Sequence, residues 1–374
     1  MPRLERPRVM LVGPMPPLKG GITTFLLNLS ASPLRERFEF VSYSISRPQK
    51  KNVIDNWGYG SMLRGGMRRI IYGIAITAWR LVAFPFALIG RKIDLVQTHG
   101  SDYQSFWEAI AYSIVSRLMG KRVLLRIGGA FDQFHKKSST PVRRLIEAAL
   151  RVPNCVIVQS RFTRDFVRAV STATNVLILP NWTRAPIFEG DRPLRENPIF
   201  MFIAGNEARR KGIDEVIEAA QALQESGSRA RFRLVAMVPQ LVERIQQRGL
   251  TNIVKIDGMV EHHSMLEIMR ESDAFLLPSH GEGFPNSLLE AMACAMPCIV
   301  TPVAAVPEIV ANGGGAIVIP VGDAKGLAVA IDKLTLEPSL RKKLGEEAKR
   351  SISLNYLVEQ VLSPLEAEYR KLLS

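Results

Sequence analysis

A chain of 374 residues, 47% hydrophobic and 22% charged, is too long for one ordinary core and too apolar to be disordered, so a folded protein of two domains is expected. Three cysteines, Cys155, Cys294 and Cys298, lack companion metal ligands and are too few for a disulfide framework; they read as buried spectators in a reduced, cytosolic chain. The net charge of +14 is uneven, with 27 Lys+Arg against 10 Asp+Glu in residues 1–180 (+17) and 22 against 25 in residues 181–374 (−3), which suggests a polyanionic partner, nucleic acid or an anionic membrane face, on one side only.

The first residues, MPRLERPRVMLVGP, lack a sustained apolar core before a small-residue cleavage site, so no signal peptide is expected. Short β-branched runs then alternate with helical patterns. In the first half they are RVMLVGP (8–14), FEFVSYSI (38–45), IDLVQTH (93–99), RVLLRIGG (122–129), CVIVQS (155–160) and NVLILPN (175–181). Between the second and third lies IIYGIAITAWRLVAFPFALI (70–89), almost wholly apolar and bracketed by Arg68, Arg69, Arg91 and Lys92. A buried helix, a helix lying in a membrane interface and a span all fit its length; Arg80 at its centre and Pro85 count against the span. The boundary is set at NWTRAPIFEGDRPLRENP (181–198), rich in proline and charge. Beyond it come IFMFIAG (199–205), RFRLVAM (231–237), NIVKIDG (252–258), DAFLLPS (273–279), PCIVTPV (297–303) and GAIVIPV (315–321). Near-continuous apolar strands alternating with helices predict an α/β protein of two Rossmann-like doubly wound domains with a cleft between the carboxyl ends of their strands.

Three stretches carry candidate chemistry. In GPMPPLKGGITTFLLNLS (13–30), Gly20 and Gly21 either make a turn and cap or let a ligand approach the free N–H groups of the following helix. It is not a GxGxxG with its acidic partner, so a dinucleotide is poorly supported. In AGNEARRKGID (204–214), Arg209, Arg210 and Lys211 precede a helix, as solvated surface cations or as a diphosphate site. In HGEGFPNSLLEAM (280–292), Glu282 and Glu290 are separated by seven residues. Ser287 and Glu290 have the spacing of a capping box, which would account for Glu290. Glu282 between two glycines caps nothing; the pair could instead accept hydroxyl protons of a polyol beside the N–H groups of Gly283, Phe284 and Asn286.

The order of these pieces resembles the retaining glycosyltransferases of family 4, of GT-B fold, strongly over 199–322 and more weakly before 90. PSHGEGFPNSLLEAMACAMPCIVTPVAAVPEIV (278–310), IDLVQTHGSDYQSFW (93–107) and SLNYLVEQVLSPLEAEYRKLL (353–373) are all similar to that family's patterns. The resemblance implies an acceptor-binding domain, 1–180, with a C-terminal helix of about 356–374 packing back on it, and a donor-binding domain, 181–355. It implies that Glu290 holds the ribose hydroxyls of a nucleotide sugar, that Glu282, with the backbone of Gly283, Phe284, Pro285 and Asn286, grips the sugar, and that Ser287 also belongs to the donor site. Arg210 and Lys211 would neutralise the leaving diphosphate, with Gly205 and Asn206 alongside and Gly21 near the phosphates. His99, Gly128 and Gly129 are the possible acceptor or sugar contacts. Attack would come from the front face, the leaving phosphate helping to take the acceptor proton, and no cofactor is expected. No Asp-x-Asp occurs, so leaving-group charge would be met by Arg and Lys rather than by a metal. Departures are Asn206, where relatives carry arginine, the Gly128–Gly129 region, where many have histidine, and Ala304 and Ala305, in place of a glycine pair.

The function expected is therefore retaining, metal-independent transfer from a nucleoside-diphosphate sugar, a UDP-sugar in first place. The acceptor would be a membrane-associated glycolipid or an oligosaccharide, in cell-surface glycan synthesis. The +17 half and the 70–89 segment together suggest a cytoplasmic chain held peripherally on the inner, anionic face of the cell membrane. Alternatives are a nucleotide-sugar epimerase or hydrolase on the same scaffold and a non-catalytic nucleotide-binding module. Nucleic acid is disfavoured, since aromatics do not interleave with the basic residues.

Overall fold

A computed structural model describes residues 6–18, 20–46, 66–101, 103–171, 175–183, 185–205, 208–236, 240–258, 260–311 and 314–374. The chain divides into two compact units, Met1–Pro180 with Leu362–Ser374, and Asn181–Val361. Each of the twelve β-branched runs named above forms a strand, IFMFIAG over its whole length and the others over part of theirs.

Unit 1 runs β1 (Arg8–Gly13), α1 (Gly21–Ser30), β2 (Glu39–Ser44), α2 (Gly66–Gly90), β3 (Leu95–Gly100), α3 (Tyr103–Leu118), β4 (Arg122–Ile127), α4 (Phe131–Lys137), α5 (Thr140–Ala149), β5 (Cys155–Val158), α6 (Arg161–Val170) and β6 (Val176–Ile178). Its sheet has the order β2-β1-β3-β4-β5-β6, every pairing parallel. The order reverses between β1 and β3, where an open α/β sheet leaves a crevice at its carboxyl edge.

Unit 2 runs β7 (Ile199–Gly205), α7 (Ile213–Glu225), β8 (Arg231–Ala236), α8 (Leu241–Gln247), β9 (Val254–Asp257), α9 (His262–Glu271), β10 (Ala274–Leu277), α10 (Asn286–Ala293), β11 (Cys298–Val300), α11 (Val306–Ala311), β12 (Ala316–Val318), α12 (Ala324–Leu336) and α13 (Pro338–Asn355). Its parallel order, β12-β11-β10-β7-β8-β9, reverses between β7 and β10. Side chains alternate across the sheet: Phe200, Phe202 and Leu276 enter one buried cluster, Met201, Phe275 and Leu277 the other. Helices covering both faces explain why these strands read as unbroken apolar runs.

The last helix, α14 (Val358–Leu373), begins in unit 2 and ends in unit 1, where Leu365 and Tyr369 are buried. The 181–198 segment is tied to unit 2 rather than loose. Arg192 donates to the carbonyls of Met269 (2.9 Å), Arg270 (3.1 Å), Ser272 and Cys294, closing the carboxyl ends of α9 and α10. The 70–89 segment lies within α2, with Phe84 and Leu88 buried and the opposite side exposed. Among the described residues no helix is long and apolar enough to cross a membrane.

Candidate active site

The 209–212 and 278–282 loops leave the carboxyl ends of β7 and β10, the adjacent strands where unit 2 reverses its order. They are in intimate contact. Gly212 has φ +87°, and a Cβ there would stand 2.2 Å from the Pro278 carbonyl oxygen, so only glycine lets the loops meet. The His280 N–H donates to the Arg210 carbonyl (2.8 Å), and the Arg210 guanidinium donates to the Gly281 carbonyl.

That meeting brings three predicted residues together. The Lys211 ammonium donates to Glu282 Oε1 (2.7 Å), which also accepts the Ser279 hydroxyl (2.8 Å); Arg210 Nη1 stands 3.8 Å from Glu282 Oε2. Thr301, on the residue after β11, donates to the Ser279 carbonyl (2.6 Å) and holds the loop from behind. Both oxygens of Glu282 thus face partners on these two loops, Oε1 by hydrogen bonds and Oε2 by the Arg210 cation. Arg209 is exposed.

The next residues form α10, and here the capping-box expectation is corrected. The helix begins at Asn286 with Pro285 as its N-cap and no side-chain cap; Ser287 is its second residue, two positions too late to serve. Proline's fixed φ suits the cap position, and its carbonyl accepts from Leu288 N–H (3.2 Å). Glu290 therefore owes its place to no capping box. It is half-buried one turn into α10, whose first turn holds no acid. Asn181 Nδ2 donates to the Phe284 carbonyl (3.0 Å) and to Asn286 Oδ1 (2.7 Å), while the Phe284 ring meets Tyr356 edge-on (5.9 Å). These contacts hold Phe284 and Asn286 in place on either side of Pro285.

Unit 1 gathers its own candidates at the carboxyl edge of its sheet. His99 and Arg126 are directly paired across β3 and β4, and the Gly128 N–H donates to the Gly100 carbonyl (2.9 Å). Gly129 has φ +66°, and a Cβ there would crowd Ser101 at 3.1 Å. A Cβ on Gly20 or Gly21 would meet nothing within 4 Å, so internal packing does not require those glycines. Behind them, Phe25 of α1 lies 5.5 Å from the His99 ring and 3.6 Å beneath the Arg126 guanidinium. Burial lowers the Arg126 pKa to about 9, and burial with the Arg126 charge beside it holds His99 well below its usual range, so the imidazole is neutral. Tyr369 donates to Gln97 Oε1, which leaves Gln97 Nε2 to donate to His99 Nε2 (3.0 Å) and assigns the His99 proton to Nδ1, a buried donor with no partner among the described residues.

Asn206 lies outside the described residues, and Gly205 ends β7. Arg126, Gln97, Tyr369, Ser279 and Asn181 went unnoticed in the sequence; for Arg126, a charge inside the apolar run RVLLRI was the available signal. Among the described residues no group of three or more His, Cys, Asp or Glu is placed to hold a metal ion.

Residues 186–351, which include Arg210, Lys211, Glu282 and Glu290, match the family model of glycosyl transferases group 1. The fold is that of the GT-B enzymes: sucrose-phosphate synthase from Thermosynechococcus elongatus superposes with a TM-score of 0.75 at 19% identity, over 98% of this chain and 99% of that one. Anabaena HepE, solved with UDP and glucose, gives 0.72 at 16% identity, over 97% and 99%. In sequence, the chain is 30% identical over 168 residues to the putative colanic acid biosynthesis glycosyltransferase WcaL of Salmonella typhimurium, covering 40% of this chain and 41% of that one. It is 29% identical over 181 residues to N-acetyl-alpha-D-glucosaminyl L-malate synthase of Bacillus anthracis, covering 47% and 46%. The chain thus spans less than half the length of these two curated relatives.

Proposed function

We propose that the protein is a retaining, metal-independent glycosyltransferase of family 4 type that moves a sugar from a nucleoside-diphosphate sugar, a UDP-sugar in first place. Its acceptor is a membrane-associated glycolipid or a growing polysaccharide at the inner face of the cell membrane, in cell-surface glycan synthesis. The observation that carries this reading is the meeting of Arg210, Lys211 and Glu282 at the strand reversal of unit 2, beside the amino end of α10. Two cations and a helix amino end suit a diphosphate and the charge it gains on leaving. Glu282, held by Lys211 and Ser279, accepts sugar hydroxyls, with the N–H groups of Gly283, Phe284 and Asn286 beside it. Glu290, one turn into α10, binds the ribose hydroxyls. Unit 1 carries the acceptor, with Gly21, the neutral His99 and Gly128–Gly129 as its ligand-contacting residues. The charge of residues 1–180 and the colanic acid synthesis in the name of WcaL support the acceptor class.

The test is calorimetry of UDP-, GDP- and ADP-sugars on the wild type and on Glu290→Ala. One donor binding tightly, and weakening by about tenfold or more in the variant, is expected from the loss of a bidentate hydroxyl contact. Absence of any nucleotide-sugar binding to the wild type refutes the reading. Turnover of donor with no acceptor present would indicate an epimerase or hydrolase instead.

A further inference from the structure

The two sides of α2 are built differently. Inward, Phe84 and Leu88 are buried, and the Phe84 ring meets Tyr43 and Tyr112 edge-on, each at 4.9 Å. Outward, Tyr72, Trp79, Val82, Phe86 and Ile89 are 52, 69, 68, 72 and 63% exposed, with exposed Ala75 among them. At 100° and 1.5 Å per residue these six fall within an arc of about 100° and a stripe about 26 Å long. Single exposed apolar side chains need no explanation, but a continuous apolar row does.

Charge surrounds the row without breaking it. Residues 56–93 contain six Lys or Arg and no acid. Arg68 and Arg69 fall in the first turn of α2, and Arg91 and Lys92 are exposed just past its last. Arg80, at mid-helix, turns away from the row: its guanidinium donates to the Ser46 carbonyl (2.6 Å), and its own carbonyl accepts from Tyr43 (2.8 Å).

We infer that this face of α2 docks on an anionic lipid bilayer, the row entering the interface and the terminal cations meeting headgroup phosphates. The inference rests on the membrane part of the proposed function and is independent of the transfer reaction. A second copy of the chain fits worse, because pairing α2 with itself in either direction sets cationic ends against cationic ends. An anionic surface complements both ends at once.

The experiment is flotation of the full chain with phosphatidylcholine vesicles containing one third phosphatidylglycerol, against phosphatidylcholine alone. The wild type is expected to float with the anionic vesicles and to release as salt rises. Trp79→Ser with Phe86→Ser is expected to lower binding by about tenfold or more, as is Arg91→Glu with Lys92→Glu. Both pairs are exposed, so UDP binding stays at the wild-type value in each and melting temperature in the Trp79/Phe86 pair, while the second pair loses one surface hydrogen bond, from Arg91 Nη1 to the Ser42 carbonyl (3.2 Å). Failure of the wild type to float at low salt, or flotation of both variants at wild-type level, overturns the inference. So does a wild-type dimer that the Trp79/Phe86 variant converts to monomer, since a second copy would then cover the row. Vesicle binding needs no nucleotide, so loss of UDP binding in the wild type would strike the proposed function and leave this inference standing.

Discussion

Replacing Lys211 by Met removes the cation that holds Glu282 and leaves that carboxylate buried. The N–O separation is 2.7 Å, and the two side chains are only 16% and 6% exposed. At an effective dielectric of about 20 their gross attraction is roughly 6 kcal/mol, offset in large part by desolvation of both ions. Breaking a buried pair from one side costs about 3–5 kcal/mol, because the partner stays charged and unmatched. Urea unfolding should therefore show Lys211→Met destabilised by about 3 kcal/mol, and Glu282→Gln, which keeps an acceptor for Ser279, by about 2 kcal/mol. The double variant should lose about 3 kcal/mol rather than the sum, a coupling of about 2 kcal/mol. Binding separates the two residues further. UDP affinity should fall about tenfold or more in Lys211→Met, which lacks the diphosphate cation, and survive in Glu282→Gln. Additive losses within about 0.5 kcal/mol, or equal UDP affinity in both single variants, would refute the paired-site reasoning.

Gly212→Ala places a methyl group 2.2 Å from the Pro278 carbonyl oxygen at φ +87°; the left-handed conformation alone costs about 1–2 kcal/mol, so unfolding should show a larger loss, with UDP binding lost in the same variant. Ala304 has φ +46°, where a glycine would be unstrained; Ala304→Gly should stabilise by about 0.5–1 kcal/mol, relief of strain exceeding the added chain entropy, as read by urea midpoint. His99 is held neutral, so the unfolded chain binds the extra proton and His99 contributes stability above its unfolded pKa that is lost as pH falls through and below it. Stability measured from pH 8 to 5 should fall below about pH 6.5 with a slope steeper by up to about 1.4 kcal/mol per pH unit than in His99→Gln, and equal slopes would contradict the assignment.

Strands were legible because burial on both faces writes itself into consecutive residues: CVIV and AFLL have no polar position to spare. Pairings across the sheet were not. Lys211 and Glu282 are 71 residues apart, and nothing local says that β7 and β10 are neighbours; the carboxyl-edge loops meet only through the reversed strand order. Ser287 misled because capping-box spacing depends on where the helix starts, and Pro285 sets that start earlier. Asn181 sat in a stretch whose proline and charge marked it as linker, yet its amide orients the loop before α10. In α2, composition showed the apolar length, while only the packed structure separates Phe84 and Leu88 from the exposed row.

The route of α14 has a consequence for how the protein is made. Unit 1 includes Leu362–Ser374, and Tyr369 completes the chain of hydrogen bonds through Gln97 to His99. Its first 180 residues therefore leave the ribosome as an unfinished domain, with the floor of the His99 site unlined. All of Asn181–Val361 must be synthesised before Leu365 and Tyr369 arrive, an interval of about 10–40 s at ordinary elongation rates. Through that interval the nascent protein is exposed to aggregation on one half while the other half is being built.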